Sequence, residues 1–162
     1  MKALVVYYSM SGNTKFVGDY IKDKIKADTL EIKPVKSYPD KGFKKFFWGG
    51  KASFMKDSPE LESYKFDSDK YDLIILGAPL WAGNFAPPIR SFVKENLDKL
   101  KDKKIAAYIS SSGGKPTKAF IRLKELLEID KFLDELSIID PKDKPSKEKV
   151  NNIENFIKNI SI

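Results

Sequence analysis

The sequence predicts an α/β fold, a parallel sheet with helices packed on both faces. Short aliphatic and β-branched runs alternate along the chain with longer stretches whose apolar residues recur at helical spacing, and three of the runs end in loops of small polar residues and glycine. The length, 162 residues with 41% hydrophobic side chains, is ordinary for one globular domain with a sizeable core. In open parallel sheets, ligands sit beyond the carboxyl ends of the strands, so the three loops are expected to converge on one site. A single domain over 1–162 is expected, with an aromatic and basic excursion at about 36–70.

The first strand is read over Ala3-Leu4-Val5-Val6-Tyr7-Tyr8, uncharged and unbroken as suits a strand buried on both faces. Ser9-Met10-Ser11-Gly12-Asn13-Thr14 follows, and then a helix with Phe16, Val17, Tyr20, Ile21 and Ile25 on one stripe. A strand that passes through such a loop directly into a helix leaves several N–H groups aimed into one concavity, which suits an anion such as phosphate. Ser9, Ser11 and Thr14 add hydroxyls, Asn13 adds an amide, and Gly12 permits a backbone angle that a side chain resists. The same residue types also serve simply to turn a chain and cap a helix. The loop fits neither GxxxxGK[ST] nor GxGxxG, so ATP hydrolysis and dinucleotide binding lose support.

Thr29-Leu30-Glu31-Ile32-Lys33-Pro34-Val35 alternates apolar and polar residues like an edge or near-edge strand, with Pro34 at its end. The stretch from Lys36 to Lys70 is too long for an ordinary connection. In it Phe43, Phe46, Phe47, Trp48, Phe54 and Met55 are interleaved with lysines, which suits either a satellite core packed on the sheet or a lid, docking patch or membrane contact. A second buried strand, Tyr71 to Gly77, leads into the loop Ala78-Pro79-Leu80-Trp81-Ala82-Gly83-Asn84. Pro87-Pro88 then opens a helix lined by Ile89, Phe92, Val93 and Leu97. A third strand, Lys104 to Ile109, ends in Ser110-Ser111-Ser112-Gly113-Gly114-Lys115, and Pro116 starts a helix carrying Phe120, Ile121, Leu123, Leu126 and Leu127. Phe132-Leu133 or Leu136-Ser137-Ile138-Ile139 supplies the last strand, and Val150, Ile153, Phe156, Ile157 and Ile160 mark a closing amphipathic helix.

Composition narrows the chemistry. With no Cys and no His, disulfides, thiolate or imidazole metal sites and Cys or His catalysis are unavailable, so any redox work needs a bound cofactor. The formal net charge is +7, but the basic residues are almost all Lys, scattered among acids, with arginine only at Arg90 and Arg122. That pattern describes a solvated surface, and no nucleic-acid partner is expected. Met1-Lys2 runs into a strand too short for a signal-peptide core, and no apolar run approaches a membrane span, which makes the cytoplasm the expected location.

Over essentially its whole length the chain resembles the flavodoxin family. The family's first loop reads T/S-x-S/T-G-N-T, here Ser9-Met10-Ser11-Gly12-Asn13-Thr14. The segment from Pro39 to Leu61, with Lys41-Gly42-Phe43-Lys44-Lys45-Phe46, is similar to one that some flavodoxin-like proteins carry between their second and third strands. The resemblance implies a three-layer doubly wound fold, a five-stranded parallel sheet of order 2-1-3-4-5 and FMN as cofactor. It implies that Ser9, Met10, Ser11, Gly12, Asn13 and Thr14 take the FMN phosphate. The isoalloxazine ring then lies between Pro79, Leu80, Trp81, Ala82, Gly83 and Asn84 on one side and Ser110, Ser111, Ser112, Gly113 and Gly114 on the other. An aromatic such as Trp81 can stack on a flat flavin, and Gly83 tolerates the reorientation of a peptide beside it.

The chain departs from typical family carriers in two respects: it is basic, and its third loop has Ser and Gly where a second aromatic is common. The implied function is FMN-dependent electron transfer to redox partner proteins. An FMN-dependent reductase of quinones or similar small acceptors, driven by NAD(P)H, and a non-redox module of the same fold are the alternatives. A receiver-type phosphorylation domain shares the strand order but requires an acidic residue at the third strand's carboxyl end, where this chain has Leu76-Gly77-Ala78-Pro79.

Overall fold

A computed structural model describes residues 1–38 and 58–161 of the chain. The elements in order are β1 (Ala3–Tyr7), α1 (Asn13–Ile25), β2 (Asp28–Glu31), a 3-10 turn (Ser68–Lys70), β3 (Leu73–Trp81), β4 (Asn84–Phe85), α2 (Pro87–Leu100), β5 (Lys104–Ser111), α3 (Thr117–Leu127), β6 (Glu135–Ile139) and α4 (Lys147–Ile160). Five strands pair in parallel in the order β2-β1-β3-β5-β6, and β4 folds back antiparallel on the end of β3. With that hairpin strand set aside, the order in chain sequence is the expected 2-1-3-4-5.

The period-2 alternation of the central strands divides the core in two. Leu4, Val6, Ile74, Leu76, Ala107 and Ile109 face α2 and α3, meeting Ile89, Phe92, Val93, Phe120 and Leu123. Val5, Tyr7, Leu73, Ile75, Ala106 and Tyr108 face α1 and α4, meeting Val17, Ile21, Ile153 and Phe156. The last strand is Glu135–Ile139, the second of the two segments that the sequence offered, while Phe132 is buried as a core residue ahead of it. The side chain of Ser146 caps α4 by accepting the Lys149 N–H at 3.3 Å.

Two elements differ from their sequence reading. β2 ends at Glu31 and does not continue to Val35. Ile32 still donates to the Tyr7 carbonyl at 2.7 Å, but Lys33 and Val35 then bond to Glu62 and Glu60, so the chain leaves the sheet to pair with its own return. A bridge between Pro34 and Leu61 closes this stem. Conversely, β3 continues through Ala78, Pro79, Leu80 and Trp81, which the sequence reading assigned to a loop. The longer β5 holds it there, pairing Ile109 with Ala78 and Ser110 with Pro79. β1 has ended at the level of Gly77, and beyond that point β4 pairs with β3, Ala86 donating to the Pro79 carbonyl at 3.1 Å, a bond that needs only the proline's acceptor. The expected satellite core of Phe43, Phe46, Phe47, Trp48, Phe54 and Met55 lies outside the described residues. No helix among the described residues is long and apolar enough to cross a membrane.

At the centre of the sheet stands Tyr108, fully buried on β5. Its ring fills the space where neighbours lack side chains. A Cβ at Gly77 would lie 2.1 Å from Tyr108 Cζ, and one at Gly18 would lie 2.9 Å from its hydroxyl oxygen. That hydroxyl donates to the Thr14 carbonyl at 3.0 Å, and burial raises its pKa well above the usual phenol range, so it remains a donor at neutral pH. Gly77→Ala should therefore destabilise the protein by about 3 kcal/mol or more, the upper end for overpacking a core. Urea denaturation of the single variant, and of Gly77→Ala combined with Tyr108→Leu, checks this, with the double variant expected to regain part of the loss.

Candidate functional site

Beyond the carboxyl ends of β1, β3 and β5 lies a cavity of about 370 Å³, lined by Ser11, Asn13, residues 79–83 and residues 110–115. Its volume lies within the range of small-molecule sites. The three loops singled out in the sequence thus meet at one place. Met10, Gly12 and Thr14 stand just outside the lining, as do Ser9 and Asn84.

The first loop is built as an anion cradle. Gly12 takes the left-handed conformation (φ 92°) and starts α1 with no side-chain cap, and the first turn holds no acidic residue. Ser9 Oγ accepts the N–H groups of both Gly12 and Lys15, each at 3.2 Å. Two backbone donors therefore converge on a single oxygen atom, as an oxyanion site requires. Among the described residues, the N–H groups of Ser11, Asn13 and Thr14 donate to no protein acceptor. A phosphate oxygen is the chemistry such unsatisfied donors suit at the positive end of a helix.

Side chains around the loop fix it in place. Thr14 Oγ1 and Ser110 Oγ lie 2.7 Å apart in a buried hydrogen bond that ties the first loop to the third. Asn13 uses all its amide capacity: Nδ2 donates to Ser11 Oγ at 3.2 Å and to Asp143 Oδ2 at 2.7 Å, while Oδ1 accepts the Lys142 and Asp143 N–H groups at 2.9 and 3.4 Å. Lys142 and Asp143 belong to the loop after β6 and were not singled out from the sequence. Nothing in their local sequence marks them, because the contact spans about 130 residues.

The second loop of the sequence reading is a β-hairpin. Trp81 pairs with Asn84, and the two turn residues Ala82 and Gly83 both have positive φ, 47° and 76°, the signature of a type I′ turn. Ala82 carries the strain of that conformation, whereas a side chain at Gly83 would meet nothing within 4 Å among the described residues. Trp81 borders the cavity but is largely buried, with Tyr8 and Tyr38 edge-on at ring separations of 5.6 and 5.1 Å. In the third loop Gly113 and Gly114 also have positive φ, and no atom lies near the Cβ position of Gly113. Among the described residues this wall of the cavity carries no aromatic ring, and Lys115 stands at its end.

Thr14→Val would leave the Ser110 hydroxyl buried without its partner, at an expected cost of about 1–3 kcal/mol, whereas adding Ser110→Ala should restore much of it. Thermal or urea unfolding of both single variants and the double variant measures this coupling.

The comparisons with known proteins agree with this architecture. The sequence profile of the Flavodoxin family matches residues 2–134. A flavoprotein from Lactobacillus acidophilus, solved in complex with FMN, is 27% identical over 87% of this chain and 95% of its own, with a TM-score of 0.67. A flavodoxin from the domain Archaea (20% identical; 99% of this chain, 96% of its own; TM-score 0.59) and the two-electron reduced flavodoxin of Megasphaera elsdenii (17%; 97% and 99%; 0.60) share the fold. No curated protein sequence matches the chain. The strand order, the loop from Ser9 to Thr14 and the profile match over most of the chain together make it a member of the flavodoxin family.

Proposed function

We propose that the chain is a cytoplasmic FMN-binding electron-transfer protein acting as a single domain. The observation that carries this reading is the cradle at the start of α1, where three N–H groups find no acceptor among the described residues and two more converge on one oxygen. FMN supplies reversible uptake of one or two electrons, chemistry that no side chain of this Cys-free, His-free chain provides. Ser9 to Thr14 hold the phosphate by charge-assisted hydrogen bonds, and the Thr14 to Ser110 bond keeps that cradle in register with the third loop. The hairpin at 79–84 and the loop at 110–114 flank the ring, with Trp81 as its apolar neighbour and Gly83 as the peptide able to reorient beside it. The close relation in fold to a flavoprotein solved with FMN supports the assignment.

A second reading, an FMN-dependent reductase of quinone-type acceptors, is favoured by one feature, the glycine wall at Gly113 and Gly114, which carries no aromatic ring among the described residues. Glycine backbone leaves a flat acceptor room to approach a flavin on that side. Turnover of a quinone with NAD(P)H as donor would favour the reductase, whereas a stable one-electron-reduced spectrum during stepwise reduction, without such turnover, would favour the carrier.

Ser11→Ala combined with Thr14→Ala should weaken FMN binding by far more than riboflavin binding, measured by flavin fluorescence titration. Equal loss for the two flavins would overturn the phosphate assignment. The net charge of +7 should also make the fully reduced, more negative flavin easier to form than in an acidic family member. Redox titration should accordingly give a less negative second potential, with a shift that shrinks at high salt, as exposed charges are screened beyond about 10 Å at ~0.1 M.

A further inference from the structure

The loop after β6 lies against the phosphate cradle. Lys142 Nζ donates to the Ser11 carbonyl at 3.2 Å, and its side chain runs so close over Gly12 that a Cβ there would lie 3.2 Å from both Cδ and Nζ. The positive φ is what calls for glycine at position 12, and the Lys142 side chain lies directly over it. The cradle's own lysine, Lys15, is committed elsewhere, paired with Asp19 one turn along α1. Lys115 stands at the other end of the cavity.

The charges around Lys142 are mixed. Asp143 lies 3.6 Å from its ammonium and also accepts from Asn13, while Asp140 and Lys144 pair with each other at 3.3 Å. Among the described residues, this segment thus sets two lysines against two carboxylates, and the Lys142 ammonium is the one bonded to the cradle, at the Ser11 carbonyl. About half of the Lys142 side chain is exposed, so its head group is free to change partner.

We propose that Lys142 is the counter-charge that makes this cradle select a flavin bearing a phosphate over one without it. Asp143 sets the opposing term, and Asn13 holds both residues at the cradle through their backbone N–H groups. The inference rests on the reading that Ser9 to Thr14 hold the FMN phosphate. Lys142 and Asp143 lie beyond the residues 2–134 that the family profile matches, while Ser11 and Asn13 lie within them.

The test is fluorescence titration of the full chain with FMN and with riboflavin, at low and high salt, for Lys142→Met, Lys142→Arg and Asp143→Asn. Lys142→Met should weaken FMN binding roughly tenfold and leave riboflavin unchanged, with the loss shrinking as salt rises. Lys142→Arg should retain most of the affinity, and Asp143→Asn should tighten FMN alone. A purely structural latch predicts otherwise: Lys142→Met and Asp143→Asn would both weaken the two flavins alike and lower the melting temperature. That result, or unchanged FMN affinity in Lys142→Met, overturns the proposal. The Ser11→Ala, Thr14→Ala pair tells the two failures apart. If that pair discriminates FMN from riboflavin and Lys142→Met does not, the cradle assignment stands and the role of Lys142 falls; if neither discriminates, both fall.

Discussion

The geometry of the site depends on one hydrogen bond, from the Tyr108 hydroxyl to the Thr14 carbonyl. It joins the middle of β5 to the first turn of α1 through the face of the sheet, in the gap left by Gly77 and Gly18. A buried phenol without this acceptor would be destabilising, and a helix set further from the sheet would lose it. The bond therefore sets how deeply α1 seats and, with it, where the cradle faces. The Thr14 to Ser110 contact lies on the same residue, so the first loop is fixed to β5 through a carbonyl and a hydroxyl together.

Around that fixed point the three loops divide the work by backbone chemistry. The first offers unsatisfied donors and rigid support. The second is a strained type I′ turn, with Ala82 in the left-handed region. The third offers glycine backbone at positive φ, with no aromatic ring on it among the described residues.

Most of the fold was legible because its signals are local. Unbroken apolar runs such as Leu73 to Leu76, helical stripes such as Ile153, Phe156, Ile157 and Ile160, and Pro87 at a helix start each encode one element without reference to the rest. The misreadings came where pairing overrode pattern. Pro79 and Gly77 look like the end of a strand, yet the longer β5 carries β3 on to Trp81. Ile32 to Val35 alternate like a strand, but their partner is the returning chain near Glu60. The cradle itself was readable as a motif. Tyr108, Lys142 and Asp143 were not, since their importance lies in contacts across some 94 to 131 residues that no local pattern reports.

Such distance in sequence has a consequence for how the protein is made. Asn13 emerges from the ribosome early, while the Lys142 backbone that it binds comes 129 residues later. At roughly 5–20 residues per second, translation leaves the N-terminal unit for on the order of ten seconds without its last support. The nascent βα unit thus holds the cradle's sequence but not its finished shape. The amide of Asn13 finds its full set of partners only once the loop after β6 has been made.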